Sequence, residues 1–343
     1  MISDPAVFIE SFLFDPETRQ PFVLTEAERI FLRFAFQLTP EGRLKYPELV
    51  FSAPKKSGKT AFAAMILIYM VRVVGGRYAE GLVVANSLDQ ASTRVFAAAA
   101  RIIEASPLLA QDARITAEKI VFYSTGATIV AIPSDATTAA GANPTISAFD
   151  ELWGFTTERD HRLWDELTVP PTRAIACRLV STYAGYTGES ELLEAIYKRG
   201  MAGEEIAPDL YANSGLLMYW SNSFSAIWQT EAWREQQREA LRPNAYLRLI
   251  ENRWVSVSIE RRRRDAEVTP MSGLASLALG GLDVVPTETR RLVLGSDHNG
   301  GEAVEKRVCR GRPADLNSPG CGRVSTLIRA LRPGLLAAAV RHR

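Results

Sequence analysis

The clearest chemistry in the chain lies in one run of residues, Ala53-Pro54-Lys55-Lys56-Ser57-Gly58-Lys59-Thr60. It follows a short apolar stretch, Leu49-Val50-Phe51, and precedes a helical pattern extending from Ala61 to Val74. A glycine-containing loop between a strand and a helix turns backbone N–H groups and the positive helix end toward one point, where they hold a phosphate. In such a loop Lys59 reaches the β- and γ-oxygens of ATP, and the Thr60 hydroxyl ligates Mg²⁺. The usual pattern opens on glycine, and Ala53 stands in that place here. The strand–loop–helix context carries the assignment, so Ala53 through Thr60 are expected to line a nucleotide site.

A phosphate cradle hydrolyses nothing by itself. It needs a carboxylate near the metal and a group that activates the attacking water. Thr145-Ile146-Ser147-Ala148-Phe149-Asp150-Glu151 supplies both at the end of a mostly apolar strand. Asp150 is expected beside Thr60 near Mg²⁺, and Glu151 is expected to face the γ-phosphate as the base. About 90 residues separate them from Lys59, which leaves room for two βα units.

These residues require a scaffold that brings distant strand ends together. Strand signals occur at 49–53, 81–85, 119–123, 127–132, 145–149 and 174–181, with helical patterns at 60–74, 88–105 and 158–168. A capped helix is expected over 23–37, with Thr25 at its start, and charged helices over 189–199 and 229–241, the last closed by Pro243-Asn244. Strands alternating with helices imply a parallel or mixed sheet covered on both faces. The expected fold is an α/β phosphate-loop NTPase with a central, mostly parallel sheet. A small helical linker region and an irregular C-terminal tail follow. The boundaries read as an ATPase domain over 1–200, a linker or lid over 201–258, and a truncated or degenerate region over 259–343.

Several segments together resemble the large terminase subunits of tailed phages. Ala53–Thr60 is similar to their deviant phosphate loop. Leu88-Asp89-Gln90-Ala91 with Val95-Phe96, running to Ser106-Pro107-Leu108-Leu109, resembles the segment after their second strand. Ile132-Pro133-Ser134-Asp135 and Gly141-Ala142-Asn143-Pro144, with Phe149-Asp150-Glu151-Leu152-Trp153, resemble the approach into their acidic strand. Val180-Ser181-Thr182-Tyr183-Ala184-Gly185 resembles their coupling motif, and Asn252-Arg253-Trp254-Val255 the segment before their nuclease domain. The likeness covers about residues 20–258.

The resemblance implies an ATP- and Mg²⁺-dependent motor that moves double-stranded phage DNA into a procapsid. It further implies a homo-oligomeric ring on the portal protein, a small terminase subunit as partner, and action in the host cytoplasm. Lys55 holds the place of a basic switch residue in the loop, with the charge of arginine but without its bidentate fork. Ser181 and Thr182 would read the γ-phosphate state. An arginine finger is expected from a neighbouring subunit, with Arg159, Arg162 and Arg173 as candidates. Two other readings stay open: a helicase-like ring ATPase acting on nucleic acid, and an inactive prophage relic.

The last part of the chain departs from that pattern. Residues 1–258 hold 25 Lys/Arg against 30 Asp/Glu, whereas 259–343 hold 15 against 9 and include Arg261-Arg262-Arg263-Arg264. All 30 aromatic residues lie within 1–254. Aromatics supply much of a core's buried area, so this tail is expected to be poorly folded, and a shifted reading frame would explain its composition. The family's nuclease domain holds two metals about 4 Å apart on strand-borne acids. Asp297, after Arg291-Leu292-Val293-Leu294, is the candidate remnant ligand, with Asp283 a fainter one. The 46 residues after Asp297 show no further strand–acid repeats, and a working nuclease is not expected. Cys309 and Cys321 with His298 and His342 do not match a zinc spacing.

The net charge of +1 predicts neither a nucleic-acid nor a membrane partner on its own. Three cysteines make no disulfide framework, which suits a reducing cytosol. Met1-Ile2-Ser3-Asp4-Pro5 lacks the basic and apolar regions of a signal peptide, and Ala61–Val74 is too short to span a bilayer.

Overall fold

The computed structural model describes residues 4–85, 94–132, 139, 141–223 and 226–256, and the backbone of 305–307 and 323–325. The chain divides into two compact units, Met1–Val268 and Thr269–Arg343. In the second, β13 (Glu305–Arg307) pairs antiparallel with β14 (Arg323–Ser325).

The first unit opens with α1 (Pro5–Phe12), capped by the Asp4 carboxylate, and α2 (Glu26–Ala35), closed at its start by a Thr25–Glu28 capping box. Then come β1 (Glu48–Ser52), α3 (Lys59–Tyr69, continuing as a π turn through Val74), β2 (Glu80–Val84), α4 (Val95–Ala105) and α5 (Pro107–Asp112). A hairpin-rich edge follows with β3 (Ala113–Ile115), β4 (Lys119–Phe122) and β5 (Thr128–Ile132). Next are β6 (Ile146–Asp150), α6 (Glu158–Glu166), β7 (Cys177–Thr182), β8 (Tyr186–Thr187) and α7 (Glu191–Met201). The unit ends with β9 (Glu204–Ala207), β10 (Leu210–Asn213), β11 (Leu216–Trp220), α8 (Glu231–Ala240), α9 (Pro243–Leu249) and β12 (Val255–Ser256).

Ten strands form one sheet in the order β3-β4-β5-β2-β6-β7-β1-β11-β10-β9. The inner six, β5 to β11, are parallel, and two antiparallel strands extend each side. Buried on both faces, the inner strands need no alternation: all five residues of β6 and of β11 are buried. One apolar layer is built around α3, whose residues Phe62 to Tyr69 are buried all round as befits a core helix. The other face is covered by a second layer that includes Phe155, Leu163, Trp164 and Leu193.

The helical linker or lid expected over 201–258 turns out to contain part of the sheet. β9, β10 and β11 extend it, and β11 pairs parallel with β1 from Glu48↔Leu216 to Ser52↔Trp220. Its run Leu216-Leu217-Met218-Tyr219-Trp220 is wholly buried and shows no period, which is why pattern alone does not reveal it. Pro243, expected to close a helix, instead opens α9, where its fixed φ and missing N–H suit the first position. The expected segments 88–91 and 133–135, and nearly all of 259–343 including Asp283, Asp297, His298, Cys309, Cys321 and His342, lie outside the described residues.

Candidate functional site

Register is what assembles the site. Ser52 at the end of β1 pairs with Thr182 at the end of β7, and Asp150 at the end of β6 pairs with Ser181. The loop after β1, the acids after β6 and the hydroxyls of β7 therefore meet at one edge of the sheet. This is the edge where ligands bind in open parallel sheets.

The loop itself is tied down from several sides. The Ala53 N–H donates to the Thr182 carbonyl (3.4 Å), the Lys55 N–H to the Leu249 carbonyl (2.7 Å), and the Ser57 N–H to the Pro54 carbonyl (3.3 Å). The Lys55 and Lys56 carbonyls accept from Gln229 Nε2 (3.0 Å) and Trp228 Nε1 (2.7 Å). Lys56 and Gly58 both adopt left-handed backbone conformations, with φ of 68° and 91°. Gly58 is the N-cap of α3, so the first-turn amides of Lys59, Thr60 and Ala61 have no earlier helical carbonyl to bond. Lys55 and Lys56 are exposed, while Ser57 and Thr60 are half-buried.

Lys59, Asp150 and Glu151 lie together at this edge. Lys59 Nζ is buried and stands 3.7 Å from Glu151 Oε1. Burial depresses the Lys59 ammonium, opposed by the charges of Glu151 and Asp150. Burial likewise raises Glu151, opposed by Lys59 and by the Trp153 hydrogen bond. Desolvation thus outweighs pairing on both partners. Asp150 is only 3% exposed, and burial with the Glu151 charge pushes it to about 7. Arg94 Nη1 faces Asp150 Oδ2 at 3.8 Å, an ion-pair distance and not a hydrogen bond. Neither Asp150 oxygen has a hydrogen-bond partner among the described residues. Two buried, unpartnered carboxylate oxygens are a fitting donor set for the water shell of a hard cation such as Mg²⁺.

Glu151 sits at φ 54° and ψ 52°, a costly conformation for a side chain of its size. It is held there by its N–H to the Ser181 carbonyl (2.7 Å) and its own carbonyl to the Gly154 N–H (3.0 Å). Trp153 Nε1 donates to Glu151 Oε2 at 2.8 Å. The Arg248 guanidinium lies 4.4 Å from the Trp153 ring, 5.1 Å from Tyr183 and 4.4 Å from Tyr186. Lys59 Nζ lies 4.7 Å from the same Tyr183 ring. Lys59, Glu151, Trp153, Arg248 and Tyr183 therefore form a closed circuit of contacts around the candidate base. Burial and the Glu151 charge push the Tyr183 phenol up to about 12, so it stays neutral.

Ser181 Oγ donates to the Lys59 carbonyl at 3.5 Å, and Thr182 Oγ1 to the Tyr183 carbonyl at 3.0 Å. Both hydroxyls brace backbone in this structure. Arg162 pairs with Glu158 along α6 (3.1 Å), and Arg173 donates to the Asn143 carbonyl (2.6 Å), so both are engaged locally; Arg159 lies on α6.

Several contributors carry little signal in the sequence. Arg248 has one, as a single cation inside Tyr246-Leu247-Arg248-Leu249-Ile250, yet it is 7% exposed. The role of Asn252 has none. It is fully buried at φ 50° and joins three strand ends: its Nδ2 donates to Ser52 Oγ (3.0 Å) and the Ser221 carbonyl (2.9 Å), and its Oδ1 accepts from the Ala184 N–H (2.7 Å). Arg94, Trp153, Tyr183 and Trp228 become legible only once the strands are in register.

No helix among the described residues is long and apolar enough to cross a membrane. No family model and no curated protein matches the sequence. Solved structures do. The large terminase of bacteriophage HK97 aligns with a TM-score of 0.58 at 15% identity, over 74% of this chain and 56% of that one. The large terminase of a thermophilic bacteriophage aligns with a TM-score of 0.50 at 12% identity, over 69% of this chain and 54% of that one. The chain thus spans little more than half the length of the terminases it matches. Over that span it has the phosphate-loop ATPase fold of bacteriophage large terminases.

Proposed function

We propose that this chain is an ATP-hydrolysing motor of the terminase type, translocating double-stranded phage DNA. The observation that carries the reading is the Lys59–Glu151 pair at 3.7 Å beside a buried Asp150 with two unpartnered oxygens, all at the mouth of the phosphate loop. Bound ATP with Mg²⁺ supplies the phosphoryl group to be transferred to water. The amides of Gly58, Lys59 and Thr60 receive the phosphates, and Lys59 places its charge on them. Thr60 and Asp150 would hold the metal and its waters. Glu151 accepts the proton of the attacking water, and its raised pKa brings it nearer to the working pH of a general base. Trp153 aims that carboxylate.

Lys55, exposed beside Lys59, acts as the loop's basic switch. Ser181 and Thr182, which buttress Lys59 and Tyr183, transmit the state of the loop into β7. The partners that follow from this reading are duplex DNA, a portal, a small terminase subunit and further copies in a ring, in the host cytoplasm.

Glu151→Gln tests the assignment. It should keep nucleotide affinity within about threefold while lowering DNA-stimulated ATP hydrolysis at least about 100-fold, the range of a lost general base. Hydrolysis by Glu151→Gln at the wild-type rate would show that the base lies elsewhere.

A further inference from the structure

Strand order gives the site a direction. Asp150 and Glu151 end β6, which lies on one side of β1 beyond β7, while β11 lies on the other side. On the reading proposed above, on which this inference rests, the terminal phosphate lies by Lys59 and Glu151. The sugar and base then lead away from that end, across β1, toward the residues that follow β11.

Those residues hold a flat ring against the loop. Trp228 donates its indole N–H to the Lys56 carbonyl at 2.7 Å, which orients the ring. A ring carbon lies 3.5 Å from where a Cβ on Gly58 would stand. Trp228 is nevertheless 59% exposed, so it is not a core residue, and it offers its surface to solvent beside the phosphate loop. Next to it, Gln229 donates to the Lys55 carbonyl at 3.0 Å. Gln229 also lines a polar cavity of about 360 Å³ with Asn222, Ser223, Glu231 and Arg234. That volume falls in the range of small-ligand sites. Its amide, hydroxyl and carboxylate groups offer both donors and acceptors, the combination that sugar hydroxyls and the edge of a purine require.

We propose that Trp228 is the stacking platform for the base of the bound nucleotide, and that the cavity lined by Asn222, Ser223 and Gln229 receives its ribose and base edge. The phosphates would then be held by the loop and the nucleoside by the segment after β11. Trp228 would couple the two, because its ring rests on the loop and its chain neighbour Gln229 lines the cavity.

Calorimetric titration of the full chain with Mg²⁺–ADP and with Mg²⁺–tripolyphosphate, which has no base, separates these roles. Trp228→Ala should weaken ADP about tenfold or more, the usual loss for an aromatic–base stack, and leave tripolyphosphate within about twofold. Trp228→Phe, which keeps a ring but not the indole N–H, should bind ADP within about threefold of wild type. The inference is overturned if Trp228→Ala binds ADP as wild type does. It is also overturned if Trp228→Ala weakens tripolyphosphate as much as ADP, since Trp228 would then only shape the loop. Wild-type protein that binds neither ligand would overturn the nucleotide reading as well, so the two failures are distinguishable.

Discussion

Asn252→Ala should be among the most destabilising single changes at the nucleotide edge. The amide joins three strand ends that are far apart in sequence: Ser52 ending β1, Ala184 after β7 and Ser221 after β11. Truncation leaves the Ala184 N–H, the Ser221 carbonyl and the Ser52 hydroxyl without these partners in a fully buried place. Each orphaned buried group costs about 1–3 kcal/mol, and a water entering the space offsets part of that, so about 3 kcal/mol remains. The residue also sits at φ 50°, where alanine is less tolerated than asparagine by about 1 kcal/mol. The expected total is about 4 kcal/mol. Asn252→Gly isolates the backbone part, because glycine loses the hydrogen bonds but adopts the conformation freely. Urea unfolding of wild type and both variants would measure this, with Asn252→Ala shifted by about 1 M or more and Asn252→Gly by less. An Asn252→Ala protein within about 1 kcal/mol of wild type would refute the argument that this amide holds the strand ends together.

Arg248→Met keeps the length of the side chain and removes the guanidinium from between Trp153, Tyr183 and Tyr186. It should lower kcat for ATP at least about tenfold with ADP affinity within about threefold, and a proportional loss of both would assign Arg248 to loop folding instead. Asp150 gives a pH signature in magnesium-free buffer. Its folded pKa of about 7 exceeds the unfolded 3.8, so between those values the folded state holds a proton that the unfolded state has lost. That contribution to stability is full below about pH 4 and declines as pH rises to about 7, by at most on the order of 4 kcal/mol. Asp150→Asn should flatten that decline in urea midpoints measured from pH 5 to 8, and parallel curves for the two proteins would contradict it. Burial pushes the Cys177 thiol up to about 12, so it should resist alkylation at pH 8 in native protein and react once unfolded.

The loop and the acids were legible because their chemistry demands a local pattern. An apolar strand, a glycine-lysine-threonine turn and an apolar helix are adjacent in sequence, and Asp150-Glu151 closes a strand of its own. Thr25 was legible for the same reason, since a capping box spans only four residues, Thr25 to Glu28. β11 was not, because a strand buried on both faces carries no alternation, and it is entered through a short polar hairpin turn from β10. Arg248 and Asn252 were hidden by distance. They act on Glu151's surroundings and on Ser52 only when α9 and the residues after it fold back over the sheet edge, which no spacing rule encodes. Trp228 looks in sequence like a stray aromatic in a polar loop, and its meaning comes from the Lys56 carbonyl it meets.

The position of β1 has a consequence for the timing of synthesis. This strand carries the phosphate loop, yet its two neighbours in the sheet, β7 and β11, begin at Cys177 and Leu216, long after Glu48. At a translation rate of about 5–20 residues per second, a growing chain exposes the β1 edge for roughly 10–30 s before its outer partner exists. The apolar run Leu49-Val50-Phe51 is meanwhile an unpaired template for other chains. The segment least able to wait is therefore the one carrying the nucleotide loop. That order of emergence predicts a lower soluble fraction on overexpression without added chaperones, and slowing translation after residue 52 should not raise it.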